Sequence, residues 1–508
     1  MRFIQARWQS DEKVLEPTVF ELSSGSFYSF PVEEELKKYA KIPNDLRRDE
    51  LNLPGLSEPE VARHFSRLAE MNYGVDSNSY WLGSCTMKYN PKLNERIARE
   101  KRMLMIHPYQ PEETVQGALQ IMYELSEMLS RITGLPHFTL QPAAGAHGEL
   151  TGALIIRKRH EDENERRNEM IVPESAHGSN FASAAMAGFK VIRIPPDEDG
   201  CVDISALKAA VSERTAGMMI TNPNTLGIFE SRILEISDVI HGAGGLLYYD
   251  GANLNAIIGK VLLSKMGIDI AHLNLHKTFS APHGSGGPGA GAVGVVDELK
   301  EYLPVPVVRK RGDGSYYLDF SLKKTIGRVR SFYGNFNVMI KAWAYLKALG
   351  SEGLPKVAEI SVLNANYALF HIRKIEGIDV KYGKRRPCKH EFVVSLQGFK
   401  KYGVKALDFA KRLLDYGVHP PTIYFPHIVE EAFMMEPTES ESLRDLDNYI
   451  EAMRKIAEEA RENRELLLKA PHSTAIGRLD EARASRQPIL SWRMYRKIMS
   501  QQGAESHE

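Results

Sequence analysis

The sequence predicts an α/β protein with a mostly parallel central sheet and helices on both faces. Three observations carry that expectation. Short apolar runs alternate with amphipathic stretches from about residue 115 to about residue 300. The 508 residues exceed what one hydrophobic core usually supports, so at least two domains are expected. The texture changes after Met339, where a separate α+β unit is expected.

The elements follow in chain order. Residues 1–114 are mixed, polar and proline-containing, with few long periodic segments, and read as an N-terminal extension or arm that wraps something larger. Residues 115–338 form the large domain in this reading. Val115–Ile132 opens it as a helix, with Leu119, Met122, Leu125, Leu129 and Ile132 at helical spacing. Strand-like runs follow at Met170–Val172, Val191–Ile194, Gly217–Ile220, Leu246–Tyr249, Ala271–Leu275 and Ala292–Val296. Amphipathic Ser205–Val211 and Ile233–His241 separate some of them, which is the repetition of a parallel sheet. Residues 339–508 form the C-terminal α+β domain. Its expected helices cover Val338–Leu349, Ser361–Lys374 and Ala406–Tyr416, its strand Phe392–Leu396, and a charged helix runs from about Asp445 to Leu468.

Composition narrows the function classes. Hydrophobic residues make up 43% and charged residues 26%, ordinary for a soluble globular chain. Lys plus Arg and Asp plus Glu are both 65, so nothing points to nucleic acid or an anionic membrane as partner. The balance also suits a chain that hides surface in a stable assembly. Cys85, Cys201 and Cys388 are far apart with no CxxC spacing, which argues against a disulfide framework or zinc site and fits a reducing compartment. No apolar run approaches the roughly 20 residues of a membrane span. Asp11, Glu12, Glu16 and Glu21 do not suit a transit peptide, and the cytoplasm is the expected location.

The most informative stretch is LNLHKTFSAPHGSGGPGAG at Leu273–Gly291: a strand end, then His276–Lys277, then a glycine-rich loop. A lone strand-end lysine is usually a solvated tail. Here apolar strand residues and small residues flank it, and a lysine held so can form an imine with a carbonyl cofactor. The loop also fits the spacing GxGxxG, but a strand-like run follows it where a dinucleotide site needs a helix.

LLYYDGAN at Leu246–Asn253 ends an apolar strand in Asp250. Taken alone, such an aspartate is commonly a turn or cap residue. A pyridoxal-phosphate (PLP) enzyme needs a carboxylate to keep the pyridine nitrogen protonated. Asp250 lies 27 residues before Lys277, one strand–helix–strand step, and the carboxyl ends of neighbouring parallel strands hold ligands. QPAAGAHGELTG at Gln141–Gly152 reads as a loop opening into a helix N-terminus, a phosphate site, with His147 able to stack on a flat ring. Close packing is the plainer account of its small residues, and a hydrogen-bonded structural role that of the histidine. AHGSN at Ala176–Asn180 and TNPNTLGIFE at Thr221–Glu230 follow strand-like runs and are placed to line the same crevice. No second ligand shares a metal spacing with His177.

Together these stretches resemble the glycine-cleavage P-protein family, specifically subunit 2 of its two-subunit form. LGSCTMKYNP at 82–91, HPYQPEETVQG at 107–117, YYDGANLNA at 248–256, HLNLHKTFSAPHGSGGPGAG at 272–291, IGRVRSFYGNFNV at 326–338 and MEPTESES at 435–442 carry the resemblance. APHSTAIGRLDEA at 470–482 extends it, so it spans about residues 15 to 490. The resemblance implies a fold-type-I PLP enzyme with Lys277 as the Schiff-base lysine, Asp250 as the pyridinium partner and His147 as the ring-stacking residue. It also implies cofactor contacts at Ala144, Gly145, Ala146, Ala252 and His276. The implied reaction decarboxylates glycine and transfers the aminomethyl group to the lipoyl arm of H-protein, with subunit 1 as partner in a heterotetramer. Ser179, Phe181 and Ser285 depart from the commoner Thr, Pro and Gly. Two other readings are a different fold-type-I decarboxylase or aminotransferase, and a non-catalytic scaffold subunit. The LGSCTM and YGNF stretches argue against the first, Lys277 and Asp250 against the second.

Overall fold

Seven strands form the central sheet: β1 His137–Thr139, β2 Glu169–Pro173, β3 Lys190–Ile194, β4 Thr215–Ile220, β5 Leu246–Gly251, β6 Ile270–Asn274 and β7 Gly291–Val295. The computed structural model describes residues 16–23, 43–46, 53–86, 88–283 and 287–505, with side chains to 501. Asp11, Glu12, Met87 and Ser285 lie outside the described residues. The strand order is β1-β7-β6-β5-β4-β2-β3. Pairings from β3 to β6 are parallel, and only β7 runs against its neighbours. The six strand-like runs read from sequence are all present. β1 is the addition; its three residues are too short to show a period.

The apolar runs are continuous rather than alternating because both faces of the sheet are covered. β2, β4 and β6 are buried along their whole length. Helix Gln116–Thr133 buries Leu119, Met122, Leu125 and Leu129 on one side, within one residue of the expected span. On the other face, helix Gly145–Asp162 approaches β5 and β6 closely. A Cβ at Gly148 would lie 2.9 Å from the His272 Cβ, so glycine is required there.

The C-terminal unit holds a second core around a three-stranded sheet, β10 Phe392–Ser395, β11 Thr422–Ile423 and β12 Ala432–Met435 in the order β10-β12-β11. In chain order a hairpin of β8 Val307–Lys310 and β9 Tyr316–Asp319 comes between the two sheets. The two helices expected at Val338–Leu349 and Ser361–Lys374 abut within Phe336–Ile372, separated only by Gly350 (φ 61°, ψ −169°). Glycine reaches that conformation without a Cβ penalty. The expected charged helix is Leu443–Glu462 plus a short turn Glu465–Leu468.

The described part of the N-terminal extension holds more regular structure than its composition suggests. Glu58–Glu70 is a helix capped by Ser57 and Glu60. Further on, Trp81 is fully buried and stacks on Tyr449 at 3.9 Å, and Leu82 bridges to Met435 of β12. This part of the arm packs within its own chain, against the C-terminal core. Among the described residues, no helix is long and apolar enough to cross a membrane.

Candidate active site

The loops after β4, β5 and β6 and the start of helix Gly145–Asp162 converge on a cavity of about 480 Å³. Lys277, Asp250, Ala252, Gly145, Ala146 and His276 all line it. This is the end of a parallel sheet where ligands bind, because the strand-end loops and helix N-termini face one another there. β6 ends at Asn274, three residues before Lys277, whose Nζ donates to the Ser84 carbonyl at 2.8 Å. Asp250 and His272 are direct partners in the β5–β6 register.

Asp250 is 1% exposed, and its oxygens are held by donors. Oδ2 accepts from Asn180 Nδ2 at 2.8 Å and from Thr221 Oγ1 at 3.4 Å, and Oδ1 accepts from the Ala252 N–H at 3.0 Å. Burial acts to raise its pKa, but nearby positive charge and these donors outweigh it and hold the carboxyl below the ordinary value. His272, 3.4 Å away, is itself pushed down to about 4 by burial. Near neutrality His272 is therefore uncharged, and Asn180, Ala252 and Lys277 keep Asp250 ionised.

Glu149, one turn into the helix, shows the opposite response. Burial and then the Asp250 charge push its carboxyl up to about 8. It accepts from Ser179 Oγ at 2.9 Å. Two carboxyls of one site thus differ because favourable charge and donors outweigh burial at Asp250, whereas burial and a like charge outweigh the Ser179 donor at Glu149. In the same helix, the first-turn amides of Gly145, Ala146 and His147 precede the first helical bond, from the Gly148 N–H to the Ala144 carbonyl. They form a positive end facing the cavity.

Two of the expected cofactor contacts sit elsewhere. His147 does not line the cavity: its Nδ1 accepts from the Ala143 N–H at 3.1 Å, and its ring lies near Val329 and Arg330. On a helix, residue 147 falls on a different face from Gly145, Ala146 and Glu149, and this turns the ring away. Ala144 is the helix cap, just behind the lining. His177, His276 and His390 do line the cavity; His177 caps helix Gly178–Met186 through Ser179 and packs edge-on against Phe425. His276 is fixed by the Ala290 N–H at 3.1 Å, tying the strand end to the far side of the glycine-rich loop.

The opposite wall was not read from sequence. Gly83, Ser84 and Cys85 of the arm and His390, Glu391, Thr422 and Phe425 of the C-terminal unit complete the lining. Glu391 Oε2 accepts from the Ser84 N–H at 2.7 Å. Glu436 accepts from the Thr86 N–H at 2.9 Å, from Thr86 Oγ1 at 2.6 Å and from Asn253 Nδ2 at 2.5 Å. Burial raises both carboxyls, and the charge of Glu436 raises Glu391 further. The available signals were LGSCTM and MEPTESES, which mark these segments without assigning their side chains.

A family model described as glycine cleavage system P-protein matches residues 33–323, and one described as glycine dehydrogenase, C-terminal domain, matches residues 357–473. The chain belongs to the glycine cleavage P-protein family. It is 57% identical over 501 residues to a probable glycine dehydrogenase (decarboxylating) subunit 2 of Thermococcus onnurineus, covering 98% of both chains. The protein of the same name from Kosmotoga olearia is 54% identical over 482 residues, covering 94% of this chain and 99% of that one. Among solved structures, a glycine decarboxylase (P-protein) of the glycine cleavage system in inhibitor-bound form superposes with a TM-score of 0.69 at 22% identity. It covers 84% of this chain and 99% of its own. A cysteine desulfurase from Escherichia coli superposes with a TM-score of 0.59 at 15% identity, over 80% and 99%. The fold is fold-type-I, and PLP is the cofactor of this family.

The residues present fit that group. An ionised, buried carboxylate, a helix N-terminus and a lysine amine face one cavity, matching a ring nitrogen, a phosphate and an aldehyde. In the lining, the buried Asn274 Oδ1 has no hydrogen-bond partner among the described residues, so the cavity wall keeps an acceptor in reserve.

Proposed function

We propose that this chain is the PLP-bearing subunit of a glycine decarboxylase, with the cofactor joined to Lys277, and that it passes the aminomethyl group to the lipoyl arm of H-protein. The observation that carries the reading is the juxtaposition of Lys277, ionised Asp250 and the amides of Gly145–His147 on one cavity. When bound, PLP supplies an aldehyde carbon for the amine of glycine and a ring that takes up the electron pair released with carbon dioxide.

The chain's own residues set the stage for that chemistry. Asp250 holds the proton on the ring nitrogen, because its charge is kept by donors that cannot take it away. The amides of Gly145, Ala146 and His147 would hold the phosphate, and His177, which lines the cavity, would cover the ring. Glu149, protonated below about 8, adds no second negative charge beside Asp250. Walls from the arm and the C-terminal unit bound the opposite side of the cavity, and such enclosure strengthens each of these interactions.

Names of the relatives imply a subunit 1, and the reading includes it as partner. Leu104, Met105 and Tyr109 are more than half exposed, and Tyr109 packs against the partly exposed Phe332. This apolar face, carried by Leu104–Met105, the HPYQPEETVQG stretch that follows them and the IGRVRSFYGNFNV stretch, supports such an interface. The cytoplasm remains the proposed location, in keeping with three free cysteines. Glycine–bicarbonate exchange tests the function. Lipoylated H-protein and subunit 1 should both be required for full rate. Full activity of this chain alone, unchanged on adding subunit 1, overturns the two-subunit reading.

A further inference from the structure

Residues Gly83–Thr86 lie between the Lys277 amine and two fully buried carboxyls. On one side the Ser84 carbonyl accepts from Lys277 Nζ at 2.8 Å. On the other, the Ser84 and Thr86 N–H groups donate to Glu391 and Glu436 at 2.7 and 2.9 Å. We infer that the Ser84 carbonyl, held by the Glu391–Glu436 carboxyl pair, is the receiving position for the Lys277 amine whenever the lysine is not joined to the cofactor. The inference rests on the reading of Lys277 given above and adds positioning residues that the reading does not require.

A lysine amine released into a buried cavity needs both an acceptor and a counter-charge. Asp250 takes donors from Asn180, Thr221 and Ala252, and among the described residues the Lys277 amine bonds to the Ser84 carbonyl instead of to it. The Ser84 carbonyl is free to accept, and its direction is not left to the loop's own preference. Ser84 and Thr86 have φ of 63° and 46°, the left-handed region that residues with a Cβ rarely adopt. Such backbone persists only where the surroundings fix it. Here Glu391 and Glu436 fix the N–H groups, and Thr422 Oγ1 donates to the Gly83 carbonyl at 2.8 Å. The two carboxyls lie close enough to oppose each other's ionisation, and a pair sharing one proton offers one negative charge to one ammonium.

The step served is the exchange of amines at the aldehyde carbon. The bond from Lys277 Nζ to that carbon breaks, and a bond from the glycine nitrogen forms. With one proton on the linked nitrogen before and after, the incoming glycine ammonium gives two protons to Nζ, and the lysine leaves as an ammonium. A receiver for that amine favours exchange and keeps the lysine near for the reverse step.

Glu391→Gln and Glu436→Gln test this in the full-length chain assembled with its partner subunit. Each keeps an amide oxygen for the strap while removing the carboxyl. Without cofactor, labelling of Lys277 by an amine reagent at neutral pH, read by mass spectrometry, should become about tenfold faster. With cofactor, about tenfold more glycine should be needed to halve the fraction that borohydride traps on Lys277. A merely structural role moves neither readout in a variant whose thermal unfolding is unchanged, and unchanged labelling and titration overturn the inference. Should neither glutamine variant fold, Thr422→Val removes the donor to Gly83 and should move both readouts the same way. If borohydride traps nothing on Lys277 of the unsubstituted chain, the lysine's assignment fails. The labelling comparison without cofactor still decides the receiver.

Discussion

On the sheet side of the cavity, Lys277, Asp250 and Gly145 stand at two strand ends and a helix start, where backbone geometry positions them. On the facing side, Ser84 meets Glu391 across 307 residues of chain, and Thr86 meets Glu436 across 350. The first wall is local: each residue follows from the element that precedes it. The second is tertiary: its residues are held by one another, in backbone conformations their own sequence does not favour. The difference teaches where chemistry is separable from assembly. Damage to the first wall should remove a chemical function and leave the fold, whereas damage to the second should disturb packing and catalysis together.

The largest effect sharpens the first wall. Lys277→Ala should abolish borohydride-trappable cofactor and essentially all exchange activity while thermal unfolding stays close to that of the unsubstituted chain. Retention of trappable cofactor would show that another lysine does the work. Asp250→Asn comes next. The cofactor should stay bound, but kcat should fall by about 10²–10³, because a neutral amide cannot hold the ring proton as charge develops. Near-normal turnover would reduce Asp250 to a turn residue.

The sheet wall was legible in the sequence for a physical reason. LLYYDGAN and LNLHKTF each join an apolar strand to a polar residue at its end, and parallel strand ends share one side of the sheet. The direction of His147 was not legible, because the loop pattern does not give the helical phase that turns its ring toward Ala143. Glu149 shows the same limit, since nothing in GAHGEL distinguishes a buried carboxyl from an exposed one. Glu391 and Glu436 were harder still: a glutamate flanking an apolar strand reads as a solvated end, and only the tertiary approach of Ser84–Thr86 makes it an acceptor. Neither β1 nor the order within the arm was visible, because three-residue strands and a lone buried tryptophan leave no period to detect.

Smaller effects test the second wall. Trp81→Ala removes a fully buried ring stacked on Tyr449 and should lower stability by about 3–5 kcal/mol in denaturant unfolding. Activity should fall with it, because Leu82 and the strap that follows lose their seat on β12. Full activity in a destabilised variant would separate the arm from the site. The mildest change is in pH dependence. Glu149 rises from 4.5 to about 8 on folding, so between those values the native state binds more protons than the unfolded one. Stability therefore falls as pH rises through that window, and Glu149→Gln should flatten this fall in cofactor-free protein. An unaltered slope would mean that Glu149 is ionised.

Two lysines stand near the site, the buried Lys88 and the half-buried Lys277, and one measurement separates them. Lys88 is 3% exposed and enclosed by Glu439, Tyr345 and Asn255, with the Glu439 ion pair at 2.6 Å. Burial alone would depress its ammonium, but Glu439 and Tyr345 outweigh it and hold the pKa above the ordinary value. Such a lysine stays a cation and makes no bond to an aldehyde. Lys277 faces the cavity with a single backbone carbonyl as its acceptor. The assembled enzyme with PLP bound is reduced with borohydride and digested, and the pyridoxyl-bearing peptide is mapped by mass spectrometry. The expected label is on Lys277 within LNLHKTF. A label on Lys88, or none on Lys277, would contradict the account.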